Sequence, residues 1–178
     1  MVTITVEQPD LEGLIGIKLP TDIGAFNEML SQIKCEATRT FSEEIGVEEL
    51  SLENKDTNRP DLWSPEGIAR ALRGLLGLET GTRAYAVTGS SGVSIRVDPQ
   101  LEKIRPFIAC SVVKNARLSD AAIRGLMHLQ DKLDESYGRG RRRSSIGLYE
   151  FDLITPPLRY AVTRPKRSAL FHLGQTNG

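Results

Sequence analysis

A helix with well-marked ends at Ser64–Gly77 is the feature that most constrains the fold. Ser64 can accept a backbone N–H of the first helical turn, and Pro65 follows at the position where a missing N–H costs nothing. Gly77 lies where a left-handed C-cap belongs. The apolar face of this helix is predicted to contain Ile68, Leu72, Leu75 and Leu76. The sequence therefore predicts one helix with defined ends in this stretch.

The residues just before this helix, Asp56–Trp63, combine two acids, an Asn, an Arg and the only Trp of the chain. Asx and Pro residues fix the backbone of turns, which favours a structural role with Arg59 paired to a nearby carboxylate. A calcium-binding loop fits poorly, because the fifth position of the calcium pattern would be Pro60. The structural motif is predicted to comprise Asn58, Arg59, Pro60, Asp61 and Trp63, with Trp63 packing onto the N-terminal module.

Apolar patterns predict a small α+β module over residues 1–80. Alternating β-branched residues predict a strand at 2–6, and further strands are predicted at 35–41 and 47–53. A short helix is predicted from Pro9 to near Gly16, and a second helix is predicted to be capped by Thr21. The apolar stripe of the second helix is predicted to contain Ile23, Phe26, Leu30 and Ile33.

The Gly- and Ser-rich residues 81–92 predict a linker, followed by a second module at 93–178. Strands are predicted at 93–97, 107–113, 146–151 and 158–162, with a short strand also considered at 85–88. A long helix is predicted to begin at Ser119, with His128 exposed on it. Its buried face is predicted to contain Ile123, Leu126, Met127, Leu133 and Tyr137. The fold class is therefore predicted as α+β, with two small modules.

Charge is unevenly spread along the chain, although the net charge is zero. From Gly138 onward there are 8 basic and 2 acidic residues, a net charge of +6, against −6 for the first 137 residues. This asymmetry indicates an anionic partner for the C-terminal part. The alternative is a face that is neutralised in a longer protein.

The basic run Gly138–Arg143 has two interpretations. Arg141, Arg142 and Arg143 could bind RNA phosphate, since a guanidinium group donates in a fork that fits phosphate oxygens. Alternatively, these cations close a helix C-terminus and pair with Glu150 and Asp152. We expect the structural role for at least one of the three arginines.

The residue inventory predicts no catalytic residue, metal site or cofactor site in the chain itself. There is no phosphate-binding Walker loop, no dinucleotide fingerprint and no Cys/His cluster at ligand spacing, and His128 and His172 have no triad partners in sequence. The spacing of Cys35 and Cys110 permits a disulfide, but nothing suggests secretion. Without a signal peptide or a membrane span, the chain is predicted to be soluble and cytoplasmic.

Two stretches resemble a known family. The run KDTNRPDLWSPEGIARALRG, residues 55–74, closely resembles a signature near the N-terminus of the phenylalanyl-tRNA synthetase β-subunit family, in its archaeal and eukaryotic form. Residues 105–160 resemble the start of the editing domain of that family. The Arg run, Ile146-Gly147, the stretch 149–152 and Pro156-Pro157 recur in the same order, with Gly140 as a departure. Together the two resemblances cover residues 8–163.

The resemblance implies an N-terminal module followed by the start of an editing domain that is incomplete at residue 178. In this family the editing domain hydrolyses Tyr-tRNA, because an apolar pocket for Phe rejects an added hydroxyl by only about a hundredfold. The editing pocket is built from later segments, and the aminoacylation centre lies on the α-subunit. The resemblance thus assigns ATP and Mg to the assembled enzyme. It implies tRNA and an α-subunit as partners, in an (αβ)2 heterotetramer without a membrane.

Three functions compete on these grounds. The first is a β-subunit of phenylalanine–tRNA ligase whose isolated chain is inactive. The second is a free-standing, non-catalytic module that binds tRNA or a protein. The third is a separate deacylase, which the missing pocket segments disfavour.

Overall fold

The computed structural model describes residues 2–42 and 46–163. The chain divides into two compact units, Met1–Tyr85 with Arg117–Gly147, and Ala86–Ala116 with Leu148–Gly178. This division differs from the modules predicted at 1–80 and 93–178, because the long helix of the second half belongs to the first unit. The modules at 1–80 and 93–178 and the linker at 81–92 therefore stay a prediction.

The first unit is built on a three-stranded antiparallel sheet in the order β1-β3-β2. Its strands are β1 (Val2–Glu7), β2 (Cys35–Ser42) and β3 (Val47–Asn54), as predicted. In the register, Leu52 faces Ile4 on one side and Ala37 on the other, and all three are buried. The alternation of apolar and polar residues therefore gives the sheet one buried face.

Helices α1 (Gln8–Ile15), α2 (Ile23–Ser31) and α3 (Pro65–Leu75) supply the rest of the core. The core residues of the three helices include Leu11, Ile15, Phe26, Leu30, Ile68, Ala69 and Leu72. The end of α1 is confirmed at Gly16, which has a φ of 90°. The predicted cap of α2 is wrong by one residue: the carboxylate of Asp22, not Thr21, accepts the N–H of Ala25 at 2.8 Å.

Both ends of α3 follow the cap chemistry of the sequence. The Ser64 hydroxyl accepts the N–H of Gly67 at 3.1 Å. Beyond the helix, Gly77 has a φ of 70°. Its N–H donates to the carbonyl oxygen of Gly74 at 3.2 Å, and the N–H of Leu78 donates to the carbonyl oxygen of Arg73 at 2.9 Å. This is a Schellman motif.

The predicted apolar face of α3 is only half buried. Ile68 and Leu72 are fully buried, but Leu75 and Leu76 are 41% and 39% exposed. The buried residues of the helix all precede Arg73, so the core contacts its first two turns and leaves the last turn uncovered.

Helix α4 (Asp120–Glu135) begins as predicted, with the Ser119 hydroxyl accepting the N–H of Ala122 at 3.2 Å. Its predicted buried face is wrong. Ile123, Met127 and Tyr137 are exposed, and Leu126 and Leu133 are half-buried. Periodicity identifies the apolar side of a helix but not whether the chain contains something to cover it.

The second unit contains a short parallel pair, β4 (Ile95–Val97) and β5 (Leu158–Tyr160), with Ile95 opposite Leu158. These confirm the predicted strands at 93–97 and 158–162 in shorter form. The strands predicted at 85–88, 107–113 and 146–151 do not form. Among the described residues this apolar segment pairs with no strand, and the side chain of Phe107 is 91% exposed.

Two further features concern the chain as a whole. Cys35 is buried, Cys110 is exposed and both are free thiols, so the disulfide that the spacing permits is not formed. Among the described residues, no helix is long and apolar enough to cross a membrane.

Candidate functional site

The motif loop, defined as Asp56–Trp63, carries a bidentate ion pair next to α3. The Arg59 Nε and Nη2 atoms donate to the two carboxylate oxygens of Asp61 at 2.9 and 2.7 Å. The hydrogen bond from Arg59 holds the pKa of Asp61 below its usual value. The predicted pairing of Arg59 with an acid is confirmed. Because both side chains are partly exposed, such a pair stabilises the fold by about 1 kcal/mol at most.

Helix α3 holds the motif loop by a close backbone approach. A Cβ atom at Gly67 would lie 1.7 Å from the carbonyl oxygen of Asp61, so only glycine fits at this position. Asp61 belongs to a 3-10 turn, Pro60–Leu62, which places the fully buried side chain of Leu62 in the core. The loop backbone is therefore fixed from both sides.

The start of the motif loop is tied to the end of β3. The side-chain oxygen of the buried Asn54 accepts the N–H of Asp56 at 2.9 Å, and Lys34 pairs with Asp56 at 3.2 Å. Asn58, which the sequence placed in the structural motif, is exposed. These contacts give the loop a defined backbone and leave Asn58 and Arg59 accessible.

Trp63 ends the motif loop and is buried, with 2% of its surface exposed. Its ring centroid lies 5.7 Å from that of Tyr137, which follows α4, with an angle of 46° between the planes. Trp63 was predicted to pack onto the module at residues 1–80, but the ring partner that the structure gives it, Tyr137, lies in the predicted module at 93–178. The partner Tyr137 was not predicted, since 74 residues separate the two positions and neither carries a local signal of contact.

The arginine loop, defined as Gly138–Arg143, is anchored to the last turn of α4 by Asp134. The side chain of Asp134 is only 4% exposed and accepts the Arg141 Nε–H and the N–H of Ile146, both at 2.9 Å. The backbone N–H of Arg141 also donates to the carbonyl of Asp134, at 3.1 Å. A second carboxylate, Asp131, lies 3.6 Å from Arg141.

The partners of the arginine loop differ from those predicted. Arg141 pairs with two acids of α4, whereas Glu150 and Asp152 were expected from the sequence. Arg142 and Arg143 are exposed, and within residues 2–42 and 46–163 neither forms an ion pair. Of the three arginines predicted to bind RNA, one therefore has a local structural contact and two face solvent.

The backbone of the arginine loop is unusual. Arg139, Gly140 and Arg141 have φ values of 50°, 63° and 64°, three consecutive left-handed residues. A Cβ atom at Gly138 would lie 2.3 Å from the carbonyl oxygen of Asp134 and 2.6 Å from that of Ser144. The loop is therefore packed tightly against its own anchor.

The part of the chain that the structure describes contains no group of His, Cys, Asp and Glu residues that could hold a metal ion. His128 is exposed on α4, as predicted, and His172 lies outside the described residues. The candidate site thus consists of the motif loop and the arginine loop, both in the first unit.

Comparison with known proteins gives a consistent result. A β subunit of phenylalanine–tRNA ligase from Pyrococcus horikoshii is 39% identical over 160 residues, which cover 90% of this chain and 28% of the relative. The corresponding subunit of Methanocorpusculum labreanum is 41% identical over 140 residues, 79% of this chain and 25% of the relative. The crystal structure of an N-terminal fragment of the Pyrococcus horikoshii phenylalanyl-tRNA synthetase β-subunit has a TM-score of 0.80 at 37% identity, covering 89% of this chain and 44% of that one.

The chain is homologous to the N-terminal part of phenylalanine–tRNA ligase β subunits. This confirms the resemblance seen in the sequence and agrees with the α+β fold class. The chain spans between a quarter and a third of the length of the curated relatives it matches. No family model matches it.

One residue of the β-subunit homologue that sequence reasoning missed is Asp134. Its place in the last turn of α4 looks unfavourable, because a carboxylate there faces the negative end of the helix dipole. That local conflict, just before a run of arginines, was the available signal that Asp134 has a partner in the loop.

Proposed function

We propose that the chain forms the N-terminal part of the β subunit of a phenylalanine–tRNA ligase, which attaches phenylalanine to its tRNA. The observation that carries this proposal is the similarity of 90% of the chain, at 36–39% identity, to relatives that bear this name. The fold supports it, because a solved structure with a TM-score of 0.80 is an N-terminal fragment of such a subunit.

The proposed role brings partners and cofactors that lie outside this chain. An α subunit would supply the aminoacylation centre, with ATP and Mg bound there, and two copies of each subunit would form an (αβ)2 assembly in the cytoplasm. Residues 93–178 of this chain would contribute the start of an editing domain that hydrolyses mischarged Tyr-tRNA. The part played by this chain is thus assembly, RNA contact and support of the editing domain.

A chimeric β subunit tests the proposal. Residues 2–163 of this chain replace the matching segment of the Pyrococcus horikoshii β subunit, which is produced together with its α subunit. We expect the chimera to copurify with the α subunit and to charge tRNA with phenylalanine. A β subunit that lacks the segment altogether is the matched control, and it should assemble or charge less well.

The alternative is a non-catalytic binding module of the same fold. A chimera that melts as a folded protein but neither binds the α subunit nor charges tRNA contradicts the proposed function and favours this alternative.

A further inference from the structure

We infer that the arginine loop is a preformed phosphate-binding site for RNA. In this site Asp134 and Arg141 are positioning residues, and the exposed side chains of Arg139, Arg142 and Arg143 contact phosphates. The inference rests on the proposed function for the identity of its ligand, tRNA.

The anchor of the loop is more elaborate than a surface turn requires. A carboxylate that is 4% exposed loses much of its hydration, and this cost must be offset by donors. Two hydrogen bonds to Asp134 offset this loss of hydration. One carboxylate oxygen accepts the Nε–H of Arg141 and the other accepts the backbone N–H of Ile146, each at 2.9 Å. Its carbonyl oxygen holds the backbone of Arg141 as well. Arg141 is therefore fixed at both its backbone and its side chain.

The backbone of the loop stores strain. Arg139 and Arg141 are not glycines but have positive φ values, a backbone conformation that a Cβ atom disfavours and that persists only where surrounding contacts determine it. In this loop, two such contacts are backbone hydrogen bonds. The N–H of Arg139 donates to the carbonyl oxygen of Ser136 at 3.1 Å, and the N–H of Gly140 donates to that of Glu135 at 3.2 Å. Strain of this kind is concentrated at binding and catalytic sites, where it holds groups in place for a ligand.

The chemistry of the loop selects a phosphate backbone as its ligand. Four guanidinium groups in six residues exceed the two carboxylates, Asp131 and Asp134, that pair with the loop. Guanidinium groups donate two parallel hydrogen bonds to phosphate oxygens. The loop has no aromatic residue on which a base could stack, so its contacts would be largely indifferent to RNA sequence.

Replacement of Asp134 distinguishes a positioned loop from a merely positive surface. Asp134→Asn adds one unit of positive charge, so a purely electrostatic surface should bind tRNA more tightly. A positioned loop should instead bind more weakly, by about threefold or more, since the arginines lose their preorganised geometry. Tighter binding by a folded Asp134→Asn chain overturns the positioning role.

Gly138→Ala provides an independent variant that changes no charge. The added methyl group would collide with the carbonyl oxygens of Asp134 and Ser144 and displace the loop. We expect this variant to bind tRNA more weakly as well. Unchanged affinity for tRNA would contradict the positioned loop. Thermal melting and the fluorescence of Trp63, the only Trp, show for each variant whether the first unit stays folded.

A triple variant tests the phosphate contacts themselves and does not depend on the fold of the anchor. In the 178-residue chain, Arg139, Arg142 and Arg143 are changed to Gln, and tRNA binding is followed against salt by filter binding. Each lost phosphate contact should lower the log–log slope by about 0.7–0.9, so the slope should fall by about 2–3 in total. A charge-matched control replaces three exposed cations of the second unit, Arg96, Lys103 and Lys114, and should change the slope much less.

The outcomes separate this inference from the proposed function. If the slope of log affinity against log salt concentration falls equally for the triple variant and its control, the loop is not the site. The inference is also overturned if the wild-type chain does not bind tRNA at low salt. Both results leave the assembly and charging of the chimeric β subunit as a separate question. A chimera that fails although the loop binds tRNA overturns the proposed function alone.

Discussion

Arg59 and Asp61 are both exposed in the motif loop, with 48% and 39% of their side chains accessible. An exposed ion pair contributes little to stability, on the order of 0.2–1 kcal/mol. We therefore expect Arg59→Ala to lower the melting temperature only modestly. Lys34→Ala, which breaks a similar exposed pair with Asp56, is the control for general loss of charge. An unchanged melting temperature together with lost binding of the α subunit in the chimera would make the motif loop an interface.

Glu12 links the stability of the first unit to pH. Its carboxylate accepts hydrogen bonds from Gln8 at 3.0 Å, Lys18 at 2.5 Å and the N–H of Leu19 at 3.1 Å. These bonds, with that from Gln8 the largest cause, lower the pKa of Glu12 from 4.5 to about 2. The carboxylate therefore stabilises the fold fully above pH 4.5, and this contribution is lost as the pH falls to about 2.

Glu12→Gln gives the corresponding experiment. At pH 7 the variant should melt at a lower temperature than the wild type, because the charged acceptor is gone. As the pH falls from 4.5 towards 2, the two melting temperatures should converge. A difference that stays constant down to pH 2 would show that protonation of Glu12 is not coupled to folding.

At the scale of the elements, the contact between α3 and the motif loop requires a glycine at one position of the helix. Alanine in a helix is normally more stable than glycine by about 0.5–1 kcal/mol. At Gly67 we expect the opposite sign, since the methyl group would overlap the carbonyl oxygen of Asp61 and displace the loop. Gly67→Ala should destabilise the first unit by about 1–3 kcal/mol, measured by chemical denaturation.

The same helix offers a matched control. Outside its own helix, a Cβ atom at Gly74 would have its nearest neighbour, the carbonyl oxygen of Glu79, at 3.7 Å, which is an ordinary contact. Gly74→Ala should therefore be neutral or stabilising. Equal stabilisation by both substitutions would mean that the motif loop is not held against Gly67.

The elements that sequence predicts well are those whose determinants are local. Ser64 and Gly77 define the ends of α3 by hydrogen bonds within a few residues, and the strands of the first sheet follow from alternation and from partners present in the same unit. The strand predicted at 107–113 fails for the converse reason. Its residues are apolar and suited to a strand, but pairing requires a neighbour that no local pattern can supply.

At the scale of the whole molecule, the sequence pointed to the two loops of the candidate site but not to the contacts that arrange them. The sequence identified the motif loop and the arginine run, because Pro, Asx and Arg are concentrated there. It missed the pairing of Asp134 with Arg141, although that contact is local and the carboxylate before the arginine run was a signal for it. It missed the contact of Trp63 with Tyr137, because that contact depends on how α4 lies within the first unit. Long-range placement of this kind carries no signal in residue spacing.

The last prediction concerns what this chain does without partners. It spans 28% of the length of the Pyrococcus horikoshii β subunit, and the family resemblance assigns the editing pocket to later segments and aminoacylation to the α subunit. We expect the purified chain to show neither phenylalanine-dependent exchange of pyrophosphate into ATP nor hydrolysis of Tyr-tRNA above the rate in buffer. The assembled chimera, which contains the same residues, is the positive control for both assays. Hydrolysis of Tyr-tRNA by the chain alone would locate an editing centre within these 178 residues and contradict the incomplete editing domain proposed for residues 93–178.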